Sequence, residues 1–469
     1  MGSTLGLDRR QAAEELQQRL ALGPRRKNRL RRALLASTWT VTVAVLGSAK
    51  RIIDFCLALL LLAITLPAWT PMLFAASKAG SRLVRTVRVG RWAQTFQEYS
   101  FPIAGAGRIL RVLHLRRLPA LINILRGDIS FIGPRAVTPG EMSPRDRITY
   151  RRYDVRPGLI CLWWVRQRAN IAYEHEALSD AEYVSGQTLL GDLGLALRAI
   201  PAVMYGHGVA NAPDEFPLVG IRIHNMTMAE AVETMVAWNG QPEQHQVAFL
   251  NADCANIAWR DPQYAAILNR ADLTLGDGIG IKVAAKALGL QLKQNVNGTD
   301  LFPRLCDALQ GLAGGLFLLG SRPGIAEAVA GWVAKHYPAV KIAGFRDGYF
   351  APAEEKSVIH EIRASGATVL LVALGAPHQD RWIDRNLAAT GVRVAMGVGG
   401  LFDFYSGRMP RAPQWLREIG LEWVYRLYQE PGRMWRRYLI GNVTFLYHVA
   451  LQRFRNQAGG RNTNKGIAI

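Results

Sequence analysis

At 469 residues the chain exceeds one ordinary core, so two domains are expected, and its 49% apolar content with 45 glycines excludes disorder and suits α/β architecture with some membrane contact. The net charge of +21 is lopsided: residues 1–200 hold 30 Lys+Arg against 14 Asp+Glu, whereas the remainder holds 27 against 22. Basic residues that flank long apolar runs point to anionic lipid as the partner and away from nucleic acid. The four cysteines (Cys56, Cys161, Cys254, Cys306) have no CxxC spacing, so neither a disulfide framework nor a zinc site is expected, and a reducing cytosol fits.

In chain order, the first 24 residues are polar and charged and read as no signal peptide. A basic N-terminal segment, residues 1–47, contains the run Arg25 to Arg32 and an uncharged stretch (Ala33 to Ala49) suited to the membrane interface. Next, Phe55 to Ser77 carries no charge over 23 residues, long enough to span a bilayer. Pro67 and Pro71 interrupt it, and positive charge flanks both ends: Lys50 and Arg51 before, Lys78, Arg82, Arg85 and Arg88 after. The positive-inside rule then places both ends in the cytoplasm, which predicts a re-entrant hydrophobic helix. An ordinary kinked transmembrane helix is the other reading.

The segments KRIIDFCLALLLLAITLP, RVG, LPALINILRGDISFIGPR and VRPGLICLWWV fall within residues 48–210. This region resembles the bacterial sugar-transferase family, the monotopic phosphoglycosyl transferases. The resemblance implies a mainly helical membrane-associated domain that joins a sugar phosphate to polyprenyl phosphate. It also implies an Asp-Glu pair before the Leu-Pro that opens the third block, as nucleophile and Mg²⁺ ligand. Here Arg116 and Arg117 occupy those positions, and QEYSFP (Gln97 to Pro102) matches poorly the family's stretch near the active site. A guanidinium has no lone pair with which to attack, and two cations repel Mg²⁺. Mg²⁺ is therefore expected only if this domain is active, and an inactive anchor is the preferred reading. Arg116, Arg117, Arg135 and Arg156 suit a lipid diphosphate head group; a solvated, lipid-facing basic surface is the alternative.

Beyond NAPDEFP (Asn211 to Pro217) the pattern changes to short apolar runs alternating with helical stretches. Strands are predicted at Val247 to Asn251, Leu273 to Asp277, Leu316 to Gly320, Lys341 to Phe345, Val369 to Gly375 and Val394 to Gly400, with a helix at Ile325 to Tyr337. Such alternation reads as α/β, a doubly wound and mostly parallel sheet whose strand ends form a ligand crevice. The ordered motifs FLNADC, LGDGIG, NGTDLF, LLGSRPG, DGYF, GAPHQDRW, GGLFDFYSG, RAP and EWVYRL…EPGRMWRRY cover residues 217–455. Together they resemble the WecG/TagA/CpsF glycosyltransferase family. Asn295 stands where many members have an arginine.

That resemblance implies an inverting transfer from a UDP-sugar, commonly an N-acetylmannosamine-type donor, to a polyprenyl diphosphate-linked sugar. Such a transfer needs a carboxylate to take the acceptor proton, and Asp277, at a strand end beside Gly278, is the candidate. Asn251, Thr299 and Gln379 suit sugar hydroxyls, or cap an element, and the motif residues Asp300, Gly320 and Asp403 are further substrate-binding candidates. His378 stands alone in its loop and reads as structural, and no cofactor or metal ligand set is evident. Arg408, Arg411, Arg426, Arg433, Arg436 and Arg437 are left to stabilise the departing UDP. They are interleaved with Trp415, Trp423, Tyr425, Tyr428, Trp435 and Tyr438, which suits a helical C-terminal appendage closing over the site and touching lipid. Residues 456–469 form a polar tail.

The expected location is the cytoplasmic face of the bacterial inner membrane, in exopolysaccharide or surface-glycan synthesis, and a homo-oligomer is compatible with the sequence. A bifunctional enzyme performing both transfers and a non-catalytic assembly scaffold are the competing readings.

Overall fold

A computed structural model describes residues 47–67, 69, 83–101, 115–142, 151–169, 176–205 and 212–463. The basic N-terminal segment, Pro71 and the cations at 78 and 82 lie outside these residues. The described chain folds into two compact units. One takes the residues up to Cys161 together with Asp180–Leu193; the other takes Leu162–Ser179 and everything from Gly194 onward.

The first unit is built on a helix, α1 (residues 47–67), whose polar side faces the protein. Buried Asp54 accepts from the Phe131 amide, and Lys50 donates to the Ile132 carbonyl at 2.8 Å and pairs with Asp192. Ile52, Ile53, Leu60 and Ile64 face outward and are more than half exposed, the reverse of a soluble amphipathic helix. Among the described residues no helix is long and apolar enough to cross a membrane.

Alongside its helices this unit carries two small sheets that the sequence reading did not foresee. An antiparallel hairpin joins β1 (Val84–Val89) to β2 (Thr95–Ser100), and a parallel pair joins β3 (Ser130–Ile132) to β4 (Gly158–Ile160). VRTVRV alternates in burial as a strand should, but is too short and too basic to announce itself. The RGDISFIGPR and VRPG motifs prove to be architecture. Gly127 caps helix α2 (Ala120–Arg126) with φ +91°. A Cβ on Gly158 would lie 2.1 Å from the Gly133 nitrogen, so the two motif glycines allow a backbone contact no other residue permits.

In the second unit helices α3 (Leu162–Ala169), α4 (Glu176–Ser185, shared with the first unit) and α5 (Leu189–Tyr205) precede a hairpin of β5 (Glu215–Leu218) and β6 (Ile221–His224). Next come β7 (His245–Leu250), β8 (Leu273–Gly276), β9 (Leu316–Gly320), β10 (Ile342–Arg346), β11 (Val369–Ala373) and β12 (Val394–Gly397). They form one parallel sheet in the order β10-β9-β11-β12-β7-β8. All six expected strands appear, and the expected helix spans Ile325–His336. The central strands are buried on both faces, as helices on each side of a parallel sheet require. Phe249, Leu318 and Leu371 pack on one face; Leu250, Phe317 and Leu370 pack on the other.

Two further helices frame the strand ends: α6 (Ala252–Arg260) after β7 and α7 (His378–Thr390) after β11. The C-terminal appendage is α8 (Gln414–Glu418), α9 (Glu422–Gln429), α10 (Pro431–Trp435), one π turn (Arg436–Ile440) and α11 (Gly441–Thr463). Helix α11 returns onto α6, where Phe445 and Val449 are buried and the Asn256 amide donates to the Gly441 carbonyl at 2.7 Å.

Candidate active site

A cleft of about 860 Å³ opens at the carboxyl ends of the parallel strands and is roofed by the C-terminal appendage. Each wall follows from a strand end. β7 delivers Asn251, whose side-chain oxygen caps α6 by accepting from the Asp253 and Cys254 amides. β8 delivers Asp277 and Gly278, the latter at φ +91° with its amide donating to the Asn295 side chain at 2.6 Å. Asn295, noted for replacing an arginine, therefore shapes the turn beside Asp277. β9 ends at Gly320 and Ser321, and β11 leads to Gln379. The Gln379 carbonyl oxygen accepts from the Gly399 amide at 2.9 Å, tying α7 to the glycines after β12.

Asp277, Asn251, Thr299, Asp300, Gln379, Asp403, Arg408, Arg433 and Arg437 all line this one cleft. Burial pushes the Asp277 carboxyl up to about 6, with Glu422 and Asp300 adding to the rise and the Asn251 hydrogen bond and Arg437 opposing it. A carboxylate of that basicity is matched to removing a proton near neutral pH. Asp300 behaves oppositely. Burial works to raise it, but Arg411 at 2.6 Å, Asn297 and Arg417 outweigh burial and hold it below the usual carboxylate range. Two neighbouring acids are thus driven apart, one toward its protonated form and one toward a fixed negative charge.

Three expected binders do not line the cleft. Arg411 is occupied by Asp300 and Glu422 beneath the roof. Gly320 lies against β11, where a Cβ would meet the Ala373 backbone at 2.6 Å, so packing alone requires a glycine there. Arg436 is exposed beside the Trp435 ring. Of the arginines in the cleft, Arg408 pairs with Asp403 at 2.7 Å and Arg437 with Asp253 at 3.1 Å. The Arg426 guanidinium pairs with no carboxylate among the described residues. It stacks 5.4 Å over the Phe404 ring beside Gly400, and its Nε is buried without a hydrogen bond. In the sequence Arg426 is one of several appendage arginines with nothing local to set it apart. Arg417 and Glu422 also line the cleft, and only their place beside recognised motif residues could have flagged them. Among the described residues no cluster of three or more His, Cys, Asp or Glu is arranged to hold a metal ion.

In the first unit the four head-group candidates each have a protein partner. Arg116 donates to the Phe101 carbonyl at 3.3 Å and Arg156 to the Gly127 carbonyl at 2.8 Å. Arg135 pairs with Glu141 at 3.2 Å. Arg117 pairs with buried Glu98, which also holds Arg88. QEYSFP thus supplies an acid opposite an arginine where the resemblance led one to expect an acid pair.

The description "Glycosyl transferase WecG/TagA/CpsF family" matches residues 216–459, and "Bacterial sugar transferase" matches 102–206. Two similar proteins are named N-acetylglucosaminyldiphosphoundecaprenol N-acetyl-beta-D-mannosaminyltransferase. The protein from Bacillus spizizenii is 35% identical over 200 residues, covering 42% of this chain and 77% of that protein. The protein from Bacillus subtilis is 32% identical over 193 residues, covering 41% and 74%. With the matched region spanning more than half of its length and enclosing every residue of the cleft, the chain belongs to the WecG/TagA/CpsF glycosyl transferase family.

Proposed function

We propose that the cleft transfers an N-acetylmannosamine-type sugar or related hexose, with inversion, from a UDP-sugar to a polyprenyl diphosphate-linked sugar. The observation that carries this reading is a raised carboxyl, Asp277, facing a group of arginines across a crevice at parallel strand ends. Asp277 takes the proton of the acceptor hydroxyl as its oxygen attacks the anomeric carbon. The bond from that carbon to the UDP oxygen breaks, and the electron pair leaves with UDP. Arg426 and Arg433 offer positive charge to the departing diphosphate. Asn251 orients the base, and Thr299 and Gln379 face the sugar. The names of the two Bacillus relatives support the acceptor and the sugar class.

The N-terminal domain serves as an anchor on the cytoplasmic face of the bacterial inner membrane, in exopolysaccharide or surface-glycan synthesis. Supporting this are the outward apolar side of α1 and, in the second unit, the exposed Leu439, Val443, Leu446 and Tyr447 of the appendage. The residues at the expected dyad do not fit Mg²⁺. Both are cationic, and the acid beside Arg117 is committed to two arginines.

The test is to supply UDP-N-acetylmannosamine and polyprenyl diphosphate-GlcNAc to the full-length protein. UDP release and a lipid-linked disaccharide are expected, and both should vanish in Asp277→Ala. Full activity in that variant removes Asp277 from its role; no turnover of any UDP-sugar with this acceptor overturns the reaction.

A further inference from the structure

Helix α8 has five residues, and Glu418 is its one buried side chain. Helix α9, which follows a turn at Gly420 (φ +73°), buries none. Yet Glu422, Trp423 and Arg426 of α9 form part of the cleft wall. Short helices do not hold themselves in water, so something other than core packing must fix them.

A fully buried carboxylate is retained only when its oxygens are satisfied. The Arg166 Nε on α3 donates to the Glu418 Oε1 at 2.9 Å, and Arg198 on α5 pairs with Oε2. Arg198 is itself braced by its bond to the Gly194 carbonyl at 3.1 Å. The preceding residue points the other way: Arg417 lines the cleft, with Nη1 3.9 Å from Asp300. Successive residues of one helix thus grip a buried ion triad and the active-site acid network.

We infer that the Arg166–Glu418–Arg198 triad is the anchor that positions α8 and α9 over the cleft. The stretches around Arg166 and Arg198, both inside the sugar-transferase match, thereby acquire a second role as positioning elements for glycosyl transfer. This rests on the transfer reading of the cleft. Arg166, Arg198 and Glu418 are positioning residues here; none lines the cleft.

The full-length chain carries the test, with Glu418→Gln and the apolar replacement Arg166→Met/Glu418→Leu, which keeps the site filled should the single variant misfold. Hydrogen exchange at residues 421–429 should quicken about tenfold in the folded double variant while β11 and β12 stay protected. UDP affinity should fall about tenfold, because Arg426 loses its fixed place. Unchanged exchange at 421–429, or equal loss of protection throughout the sheet, overturns the anchor. If wild type binds no UDP at all, the transfer reading fails, and exchange at 421–429 still decides the anchor.

Discussion

At the scale of single residues, the cleft separates charges that are spent from charges that are available. Arg408 and Arg437 are neutralised by Asp403 and Asp253, whereas Arg426 lines the cavity with no acid partner among the described residues. Arg426→Ala should therefore lower kcat/KM about 100-fold, in the range for removing one preorganised donor. Arg426→Lys should restore only part of this, because the planar fork is lost while the charge remains. Steady-state kinetics with a fixed acceptor concentration checks both. Asp277 makes a pH prediction. As the proposed base it must be ionised to act, and its carboxyl is raised to about 6 by burial, with Glu422 and Asp300 contributing. Thus kcat/KM should rise through about pH 6 and level off above it, and Asp277→Asn should abolish the rising limb together with the rate. A flat profile between pH 5 and 8, at about wild-type rate, would exclude Asp277 as the base.

At the scale of elements, what sequence revealed and what it hid follow from range. Most of the parallel strands are dense apolar runs, several of them followed by Gly, Asn or Asp, and that local pattern sufficed to place β7 to β12. Asn251, Asp277 and Gln379 were legible because strand ends converge. The packing demand on Gly320 was hidden, because only the register with β11 shows that its missing Cβ makes room for the Ala373 backbone. Gly320→Ala should accordingly lower the unfolding temperature and soluble yield, with the surviving fraction keeping a wild-type KM; strain at φ +124° alone costs about 1–3 kcal/mol. Asp380 on α7 was equally hidden. It is 2% exposed and accepts from the Tyr264 hydroxyl at 2.9 Å, and burial pushes it up to about 7, against the opposing effect of that bond. Its folded form therefore favours the proton. The associated stability is complete below pH about 4 and is lost as pH rises toward 7. Asp380→Asn does not titrate, so its unfolding free energy relative to wild type should climb by at most about 4 kcal/mol between pH 4 and 7 and then hold constant. A difference that does not change with pH would show that Asp380 is ionised in the native protein.

At the scale of the whole molecule, one chain carries two transferase-like regions, and their products distinguish them. Phosphoglycosyl transfer breaks the diphosphate of a UDP-sugar and releases UMP. Glycosyl transfer breaks the bond at the anomeric carbon and releases UDP. In the first unit Arg117 and Glu98 form a salt bridge with Arg88 alongside, so the position holds a satisfied ion network in place of a nucleophile and a metal ligand. Removing Arg117 would leave Glu98 buried with one partner fewer, so this network contributes to the fold of the domain. Restoring acids by Arg116→Asp/Arg117→Glu would set a second carboxylate against Glu98, and like charges at short range resist joint ionisation. That variant should be less stable than wild type and still release no UMP from polyprenyl phosphate and a UDP-sugar. Wild type should release no UMP under the same conditions, while UDP appears when polyprenyl diphosphate-GlcNAc is supplied. Chromatographic separation of the two nucleotides gives the answer directly: UMP from wild type would make the chain bifunctional, and the Arg116–Arg117 substitution would then have to be reread as compatible with catalysis.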